Sequence, residues 1–276
     1  MTDSRLAFIG GGNMARSLVG GLIADGWDPG RIRVADPDPQ QTDRLAQRFS
    51  VTTTQDNHAA LEQADAVVLA VKPQAIKAVV DELAATIAAQ RPLVISIAAG
   101  IRATALGGWL GMDTAIVRTM PNTPALVQSG ATALFANSVV SEEQRNLAES
   151  VLRAVGLTLW IDDEDLMDAV TALSGSGPAY FFLFMEALQD AGTDLGLPVE
   201  TARLLTLQTA FGAAKMALES TEGAATLRQR VTSPGGTTER ALDYLKQHGF
   251  EETVAGALRA AAERSRALAA EFGEES

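Results

Sequence analysis

A glycine-rich turn near the N-terminus constrains the fold of this chain more than any other stretch. The sequence FIGGGNMA, residues 8–15, matches the pattern G-x-G-x-x-A directly after an apolar, strand-like run and before a helical one. In this pattern Gly10 permits a tight turn, Gly12 lets the backbone approach a pyrophosphate, and Ala15 allows the helix to pack closely on the strand. The stretch therefore predicts the first βαβ unit of a dinucleotide-binding domain.

The two halves of the chain differ in their patterns of apolar residues. From Arg5 to about Trp160, helical segments alternate with the apolar runs RLAFIG, IRVAD, AVVLAV, LVISIA, TAIVRTM, ATALFA and LTLWI. This alternation predicts a mostly parallel sheet covered on both faces, whereas the later sequence has only helical spacing. We therefore expect an α/β chain, with an N-terminal Rossmann-like doubly wound sheet in residues 1–163 and an all-α helical dimerisation domain in residues 164–276.

The composition excludes several classes of function. The formal net charge of −12 over 276 residues argues against a nucleic-acid partner, which needs a basic surface. With no cysteine and only His58 and His248, neither a metal site nor a Ser-His-Asp arrangement is expected. The N-terminus lacks the pattern of a signal peptide, and the apolar run at 179–185 is far shorter than the roughly 20 residues of a membrane span. We expect a cytoplasmic protein that acts on a small molecule and does not enter a membrane.

An aspartate at the end of the second apolar run bears on the choice of cofactor. Asp36 stands about twenty residues beyond the glycine loop, where a carboxylate can accept hydrogen bonds from the adenosine ribose. This position favours NADH over NADPH, because a 2′-phosphate would face the carboxylate. Two alternatives remain open. In one, the side chain of Arg33 or Arg44 reaches a 2′-phosphate, and in the other Asp36 only caps the turn before Pro37.

Three further segments follow predicted strands, at the edge where open α/β sheets bind ligands. AVKP, residues 70–73, brings a lysine either to the cofactor or simply to solvent, and SIAAG, residues 96–100, has small residues that allow close approach of a nicotinamide. MPNTP, residues 120–124, forms either a rigid turn or a wall of the site. We favour the second interpretation because strand ends line the crevice.

Two glycine-containing segments lie in the helical half. SGSGPAY, residues 174–180, is expected to open a long apolar helix with a serine cap and Pro178 in the first turn, or to supply glycines for a close helix crossing. SPGG, residues 233–236, is a turn before another helix, an arrangement that binds small anions through free N–H groups.

Taken together, FIGGGNMA, AVKPQ, VISIAAG, MPNTPA, SGSGPAY and SPGGTT resemble the pyrroline-5-carboxylate reductase family, over about residues 6–269. The last three motifs are specific to that family. The resemblance implies reduction of the cyclic imine 1-pyrroline-5-carboxylate to L-proline by NADPH or NADH, the last step of proline biosynthesis. It also implies a homodimer through the C-terminal helices, which in this family often assembles into a larger homo-oligomer.

The resemblance also implies site residues. It places cofactor contacts on Gly11, Asn13, Met14, Asn57, Val71, Lys72 and Ala99, to which the patterns above add Gly10, Gly12, Asp36, Ala70 and Pro73. Substrate contacts are expected at Gly235, Gly236, Thr237, Thr238 and Ser176. Thr238 is the expected catalytic residue, as hydrogen-bond donor to the imine nitrogen. The family has a glutamate a few residues before SPGGTT, and here either Thr221 or Glu222 stands at that place.

Two rival functions deserve comparison. A β-hydroxyacid dehydrogenase has the same two-domain plan and uses a helix lysine as acid/base, for which Lys215 is the candidate. That family's pattern expects asparagine one turn later, where Glu219 stands, so we favour a surface lysine. A dinucleotide-binding sensor without catalysis would leave the SPGGTT loop without a role.

Overall fold

The computed structural model describes residues 3–273, and the chain divides into two compact units. Of the described residues, the first unit comprises 3–176 together with 261–273, and the second comprises 177–260. The boundary expected after residue 163 falls inside the first unit. The division therefore differs from the one expected from sequence, because the linker and the end of the last helix pack with the sheet.

Eight strands form a single sheet in the first unit. Their bounds are β1 (Leu6–Ile9), β2 (Ile32–Ala35), β3 (Thr52–Thr54), β4 (Ala66–Leu69), β5 (Leu93–Ser96), β6 (Ile116–Met120), β7 (Gly130–Ala136) and β8 (Gly156–Trp160). The order is β3-β2-β1-β4-β5-β6-β7-β8, and every neighbouring pair is parallel except β6 and β7. The first six strands have the order of dinucleotide-binding folds, which confirms the predicted doubly wound sheet.

The apolar runs predicted every strand except β3. This strand consists of three consecutive threonines, the first of them exposed, and pairs only with β2 at the edge of the sheet. Because none of its residues belongs to the apolar core, the sequence carries no apolar signal there. Threonine is nevertheless favoured in strands because its branched Cβ suits an extended backbone.

Helices cover both faces of the sheet and make up the remainder of the chain. Their bounds are α1 (Asn13–Ala24), α2 (Pro39–Phe49), α3 (Asn57–Leu61), α4 (Pro73–Gln90), α5 (Ala103–Leu110), α6 (Glu142–Arg153), α7 (Met167–Val170), α8 (Gly177–Asp194), α9 (Val199–Glu219), α10 (Ala224–Arg230), α11 (Thr237–Gln247) and α12 (Phe250–Gly273). After β8 the described residues contain no further strand, as the sequence predicted. Within residues 3–273 no helix reaches the length and apolarity that a bilayer crossing requires.

Side-chain alternation along the strands divides the core into two layers. Phe8 and Val68 point to the face covered by α1 and α6, and Ile9 and Leu69 point to the opposite face, covered by α4 and α5. Each of these side chains is at most 1% exposed. Full burial of a side chain of this size contributes about 1.5–3 kcal/mol, so the two layers fix the sheet on which the strand ends are presented.

Buried polar contacts attach the linker to the sheet unit. Arg118 on β6 donates to the Glu164 carboxylate at 2.9 Å, and the same oxygen accepts the N–H of Ala103 at 2.7 Å, at the start of α5. Asp168 is buried and accepts the hydroxyl of Ser265 on α12 at 2.6 Å. These contacts explain why residues 164–176 and the end of α12 belong to the first unit.

The second unit exposes large apolar side chains. On α8, Phe181, Phe182 and Leu183 are 67%, 64% and 66% exposed, and Phe211 on α9 is 62% exposed. Clustered apolar exposure of this kind is typical of protein–protein contacts. The helices α8 and α9 thus carry a large exposed apolar surface.

Candidate active site

The predicted glycine loop connects β1 to α1 at the carboxyl edge of the sheet. Gly10 has a φ of +101°, and a Cβ there would lie 2.7 Å from the carbonyl oxygen of Ala70. By contrast, a Cβ on Gly12 would meet no atom within 4 Å. Among the described residues no side chain caps the N-terminus of α1, which begins at Asn13. The loop is therefore closed at Gly10, where it packs on the β4 end, and open at Gly12, where free N–H groups can bind an anion.

Asp36 lies at the carboxyl end of β2 and is half-buried. Its Oδ2 accepts the N–H of Gly11 at 2.7 Å, and its Oδ1 accepts the N–H of Asp38 at 2.9 Å. The carboxylate therefore fixes the glycine loop and also caps its own turn. The capping is what the alternative interpretation of Asp36 expected. Each oxygen still has a lone pair, because a carboxylate accepts at about four sites. A ribose contact for Asp36 remains a prediction.

The segment after β4 supplies four of the predicted cofactor contacts. A Cβ on Gly10 would also approach Cγ1 of Val71 at 3.0 Å, so the structure brings the glycine loop together with Ala70 and Val71. Lys72 is exposed at the N-cap position of α4, and Pro73 is the first residue of that helix. The strand ends at Leu69, and the side chain of Lys72 is exposed at the carboxyl edge of the sheet.

Two further predicted contacts follow neighbouring strands. Asn57 begins α3 just after β3, and its side-chain amide donates to the Glu82 carboxylate at 3.2 Å. Ala99 is half-buried in the turn after β5. Since the parallel strands from β1 to β6 end at one edge, both residues lie on the side of the sheet that carries the glycine loop. The contacts of Asn57 and Ala99 with a cofactor remain predictions.

The MPNTP and SGSG segments meet in the first unit. Asn122 follows β6, and its amide nitrogen donates to the Oγ of Ser174 at 3.2 Å, while its Oδ1 accepts the N–H of Ala131 at 2.9 Å. A Cβ on Gly175 would lie 2.4 Å from Cε of Met120, so this glycine allows close packing. The two segments thus form one rigid corner at the carboxyl end of β6. That this corner is also a wall of the site remains a prediction.

The expected serine cap of α8 is wrong. Residues 171–175 form a π-helical turn between α7 and α8, and the N–H of Ser176 donates to the carbonyl of Thr171 at 2.8 Å. Ser176 has helical dihedrals of −85° and −20°, so the helix passes through it instead of starting there. Pro178 stands in the first turn of α8, as expected. Single π-turns of this kind often occur at functional sites; the predicted substrate contact of Ser176 is not tested by this geometry.

The SPGGTT loop opens a helix in the second unit, as predicted. Gly236 is the N-cap residue of α11, which begins at Thr237, and no side chain of the described residues caps it. The N–H of Gly236 donates to the carbonyl of Ser233 at 3.0 Å, and that of Gly235 donates to the Glu239 carboxylate at 2.7 Å. The two glycine N–H groups are therefore already bonded. The N–H groups of Thr237, Thr238 and Glu239 have no partner among the described residues, and Thr238 is half-buried.

Sequence reasoning missed Glu239. It stands three residues after the N-cap, the spacing at which a glutamate reaches back to the N–H groups before a helix. The segment GGTTE contains that signal. In this structure Glu239 fixes the glycine turn that presents Thr237 and Thr238.

Two other charged residues of the second unit were candidates for the site. The Glu222 carboxylate, which is 31% exposed, pairs with Arg230 at 2.6 Å. Lys215 is 58% exposed and lies 3.7 Å from the Glu219 carboxylate one turn along α9. This geometry is that of a surface lysine, as the sequence comparison with β-hydroxyacid dehydrogenases favoured.

The glycine loop has the features that a dinucleotide requires. The space at Gly12 is open, the first N–H groups of α1 are uncapped, and a carboxylate stands at the end of β2. Backbone N–H groups at a helix start suit a pyrophosphate, and the carboxylate suits ribose hydroxyls. In the part of the chain that the structure describes, no group of three or more His, Asp or Glu side chains is placed to hold a metal ion.

Two family models match the chain. One is described as pyrroline-5-carboxylate reductase dimerisation and matches residues 164–268. The other is described as NADP oxidoreductase, coenzyme F420-dependent, and matches residues 5–100. The second match covers the sheet unit as far as residue 100, and the first covers most of the helical region.

Individual proteins are similar over nearly the whole length. Pyrroline-5-carboxylate reductase of Pseudomonas aeruginosa is 53% identical over 274 residues, which cover 99% of this chain and 100% of the relative. The solved structure of a pyrroline-5-carboxylate reductase from Coxiella burnetii has a TM-score of 0.94 at 52% identity, with coverage of 97% and 99%. That of Plasmodium falciparum pyrroline carboxylate reductase, with NADP bound, has a TM-score of 0.86 at 31% identity, with coverage of 98% and 99%.

Proposed function

The chain belongs to the pyrroline-5-carboxylate reductase family, and we propose that it reduces the C=N bond of 1-pyrroline-5-carboxylate to give L-proline, with NADPH or NADH as the reductant. The similarity of the relatives, 53% identity over 99% of this chain for one of them, supports the activity. The site residues are proposed from the geometry of the loops described above.

The observation that carries the assignment of roles is the uncapped start of α11. A small carboxylate is attracted by the positive end of a helix and by its free N–H groups. Because Gly235 and Gly236 have bonded N–H groups, binding of the substrate carboxylate falls to the N–H groups of Thr237 and Thr238. Neither threonine hydroxyl has a hydrogen-bond partner within residues 3–273, so both are available to substrate.

In the proposed reaction, bound NADPH or NADH supplies a hydride to the carbon of the C=N bond, and the nitrogen gains a proton. The hydroxyl of Thr238 donates a hydrogen bond to that nitrogen, which draws electron density away from the carbon. An imine nitrogen is basic enough to take its proton from solvent or a bound water, so the chemistry needs no histidine. Correct positioning of the two reactants is worth up to about 7–11 kcal/mol in well-oriented systems.

On the cofactor side, the proposed contacts are those of the loop and strand ends. The N–H groups at the start of α1, near Asn13 and Met14, hold the pyrophosphate. The segment from Ala70 to Pro73 and the turn at Ala99 lie along the carboxyl edge of the sheet, where they contact the rest of the cofactor. Asn57 follows β3 and Asp36 follows β2, so these two residues would border the adenosine.

We also propose that the protein is a homodimer through its C-terminal helices and acts in the cytoplasm. The match of a dimerisation model to residues 164–268 supports self-association. The exposed aromatic side chains of α8 and α9 support these helices as the interface, because obligate interfaces resemble a core cut in half.

The test of this function is the fall in absorbance of NADH and NADPH with 1-pyrroline-5-carboxylate as substrate. Thr238→Ala is expected to lower kcat/KM by about 10- to 100-fold, the effect of one hydrogen bond to a reacting group. Thr238→Ser, which keeps the hydroxyl, should retain most of the activity. Cofactor affinity, measured by calorimetry, should be unchanged in both variants.

Thr232→Ala is the matched control for Thr238→Ala. Thr232 precedes the same loop, but its hydroxyl is occupied by a 2.6 Å bond to the carbonyl of Arg228. A similar loss of activity in Thr232→Ala and Thr238→Ala would attribute the effect to loop structure and not to a donor. No turnover by the folded wild-type protein with either cofactor would refute the proposed reaction.

A further inference from the structure

The two helix starts beside the predicted cofactor site differ in their ability to bind anions. At α1 the N-cap is a glycine, no described side chain caps the helix, and the space at Gly12 is open. At α2 the first helical residue is Pro39, which has no N–H group, and Asp38 is the N-cap. Only the first of these helix starts offers unbonded N–H groups to a phosphate.

The turn from residue 36 to residue 41, here called the aspartate turn, has no free backbone donor. Pro37 and Pro39 lack an N–H group, and the N–H of Asp38 donates to Asp36 at 2.9 Å. The N–H of Gln40 donates to the Asp38 carboxylate at 2.8 Å, and that of Gln41 donates to the Asp38 carbonyl at 3.0 Å. A phosphate at this turn would meet two carboxylates and no unbonded N–H group.

The arginine nearest in sequence is also unavailable. Arg33 on β2 donates to the carbonyls of Ala59 and Glu62 at 3.1 and 3.0 Å, and its guanidinium lies 3.7 Å from the Glu62 carboxylate. It is therefore attached to the end of α3. Arg44 is exposed in the second turn of α2 and is the remaining cation close to the turn in sequence.

We propose that the aspartate turn makes this reductase selective for NADH over NADPH. Asp36 and Asp38 accept ribose hydroxyls or backbone N–H groups, and they repel the 2′-phosphate that distinguishes NADPH. The inference rests on the proposed function for the place of the cofactor, and it adds which cofactor the site prefers. Selection is exerted by residues of the turn and requires no contact with the reacting atoms.

Selectivity is measured first by binding, which does not depend on catalysis. The probes are ADP-ribose and 2′-phospho-ADP-ribose, which share the adenosine and pyrophosphate and differ only in the 2′-phosphate. For the wild-type protein we expect a Kd at least about tenfold lower for ADP-ribose in titration calorimetry, since the 2′-phosphate would lie beside two carboxylates without a charge-assisted donor. The Kd for NADH should likewise be lower than the Kd for NADPH.

The variant Asp36→Asn with Pro37→Arg removes a carboxylate and adds a guanidinium to the turn. It should shift the Kd ratio by at least about tenfold towards the 2′-phosphate probe, the size of one charge-assisted contact. Should this variant fail to fold, Asp38→Asn with Pro37→Arg tests the same idea, because asparagine caps a helix as well as aspartate does. The matched control is Asp28→Asn, which caps the turn before β2 through a 2.9 Å bond and lies at the opposite end of that strand. It should leave the ratio unchanged.

Two results would overturn the proposal. One is equal or tighter binding of 2′-phospho-ADP-ribose by the wild-type protein; if Arg44→Gln then abolished that preference, Arg44 would be the phosphate ligand. The other is an unchanged Kd ratio of the two probes in a folded double variant that contains Pro37→Arg. Selective binding of NADH without imine reduction would support the proposed selectivity and refute the proposed reaction. Failure of one proposal can therefore be told apart from failure of the other.

Discussion

Alanine substitutions at two glycines of the same loop should separate folding from cofactor binding. In Gly10→Ala the new Cβ would lie 2.7 Å from the carbonyl oxygen and 2.8 Å from the carbonyl carbon of Ala70, at a φ of +101°. Left-handed backbone costs about 1–2 kcal/mol in a non-glycine residue, and overpacking adds about 1–3 kcal/mol. We therefore expect a loss of about 2–5 kcal/mol from the free energy of unfolding, a large share of the usual 5–15 kcal/mol.

Gly12→Ala should have the opposite profile. Its φ of −66° suits any residue, and the new Cβ meets no atom of the protein within 4 Å. Alanine is a poorer N-cap than glycine but reduces the entropy of the unfolded chain, and the two effects are each below about 1 kcal/mol. The free energy of unfolding should thus change by less than about 1 kcal/mol, whereas the methyl group stands where the pyrophosphate approaches the N–H groups of α1.

The assay for this pair is urea denaturation without cofactor, at one fixed protomer concentration, together with calorimetric titration of NADH. Gly12→Ala is expected to raise the Kd by about 10- to 100-fold, because the helix-start hydrogen bonds to the phosphate are charge-assisted. Wild-type affinity in Gly12→Ala would show that the cofactor does not approach this side of the loop. Wild-type stability in Gly10→Ala would contradict the packing of the loop on the end of β4.

Three further results are expected. Glu164→Gln should lower the free energy of unfolding in urea by about 3–5 kcal/mol, because the buried Arg118 guanidinium would have no carboxylate partner. A loss below about 1 kcal/mol would contradict this reasoning. Glu239→Ala should raise the KM for the imine severalfold and leave the Kd of the cofactor unchanged, since it frees the glycine turn of α11 without touching the β1–α1 loop. Phe182→Glu should shift the protein towards monomer in light scattering, whereas Met112→Glu, at a residue 73% exposed in the sheet unit, should not.

Much of the fold was predictable because its signals are local in sequence. Apolar runs marked every strand that contributes to the core, and the change to helical spacing after β8 marked the helical half. The exception, β3, is an edge strand of threonines whose pairing with β2 satisfies its backbone without apolar burial. The attachment of the linker was also not predictable, since the partners Arg118 and Glu164 are 46 residues apart.

The site was predictable where a sequence motif is compatible with a single local structure. FIGGGNMA specified an open helix start, and the structure has that geometry at α1. The serine cap at α8 was wrong because serine, glycine and proline in sequence suit both a helix start and a π-turn within a helix. The bond from the Gly11 N–H to Asp36 Oδ2 was not predictable, because the two residues meet only once β1 and β2 are paired.

Three helix starts of this chain illustrate how the same backbone feature is given different functions by the side chains around it. The start of α1 has glycine as N-cap and remains open, which suits a pyrophosphate. The start of α2 is closed by Asp38, which accepts the N–H of Gln40, and by Pro39, which has no N–H group, so neither residue offers a backbone donor to a second phosphate. The start of α11 is intermediate. The Glu239 carboxylate accepts the N–H of Gly235, and the N–H groups of Thr237, Thr238 and Glu239 itself remain unbonded within the described residues. Since each N–H group donates one strong hydrogen bond, the side chains that already accept from these groups decide how many anionic groups each helix start can bind.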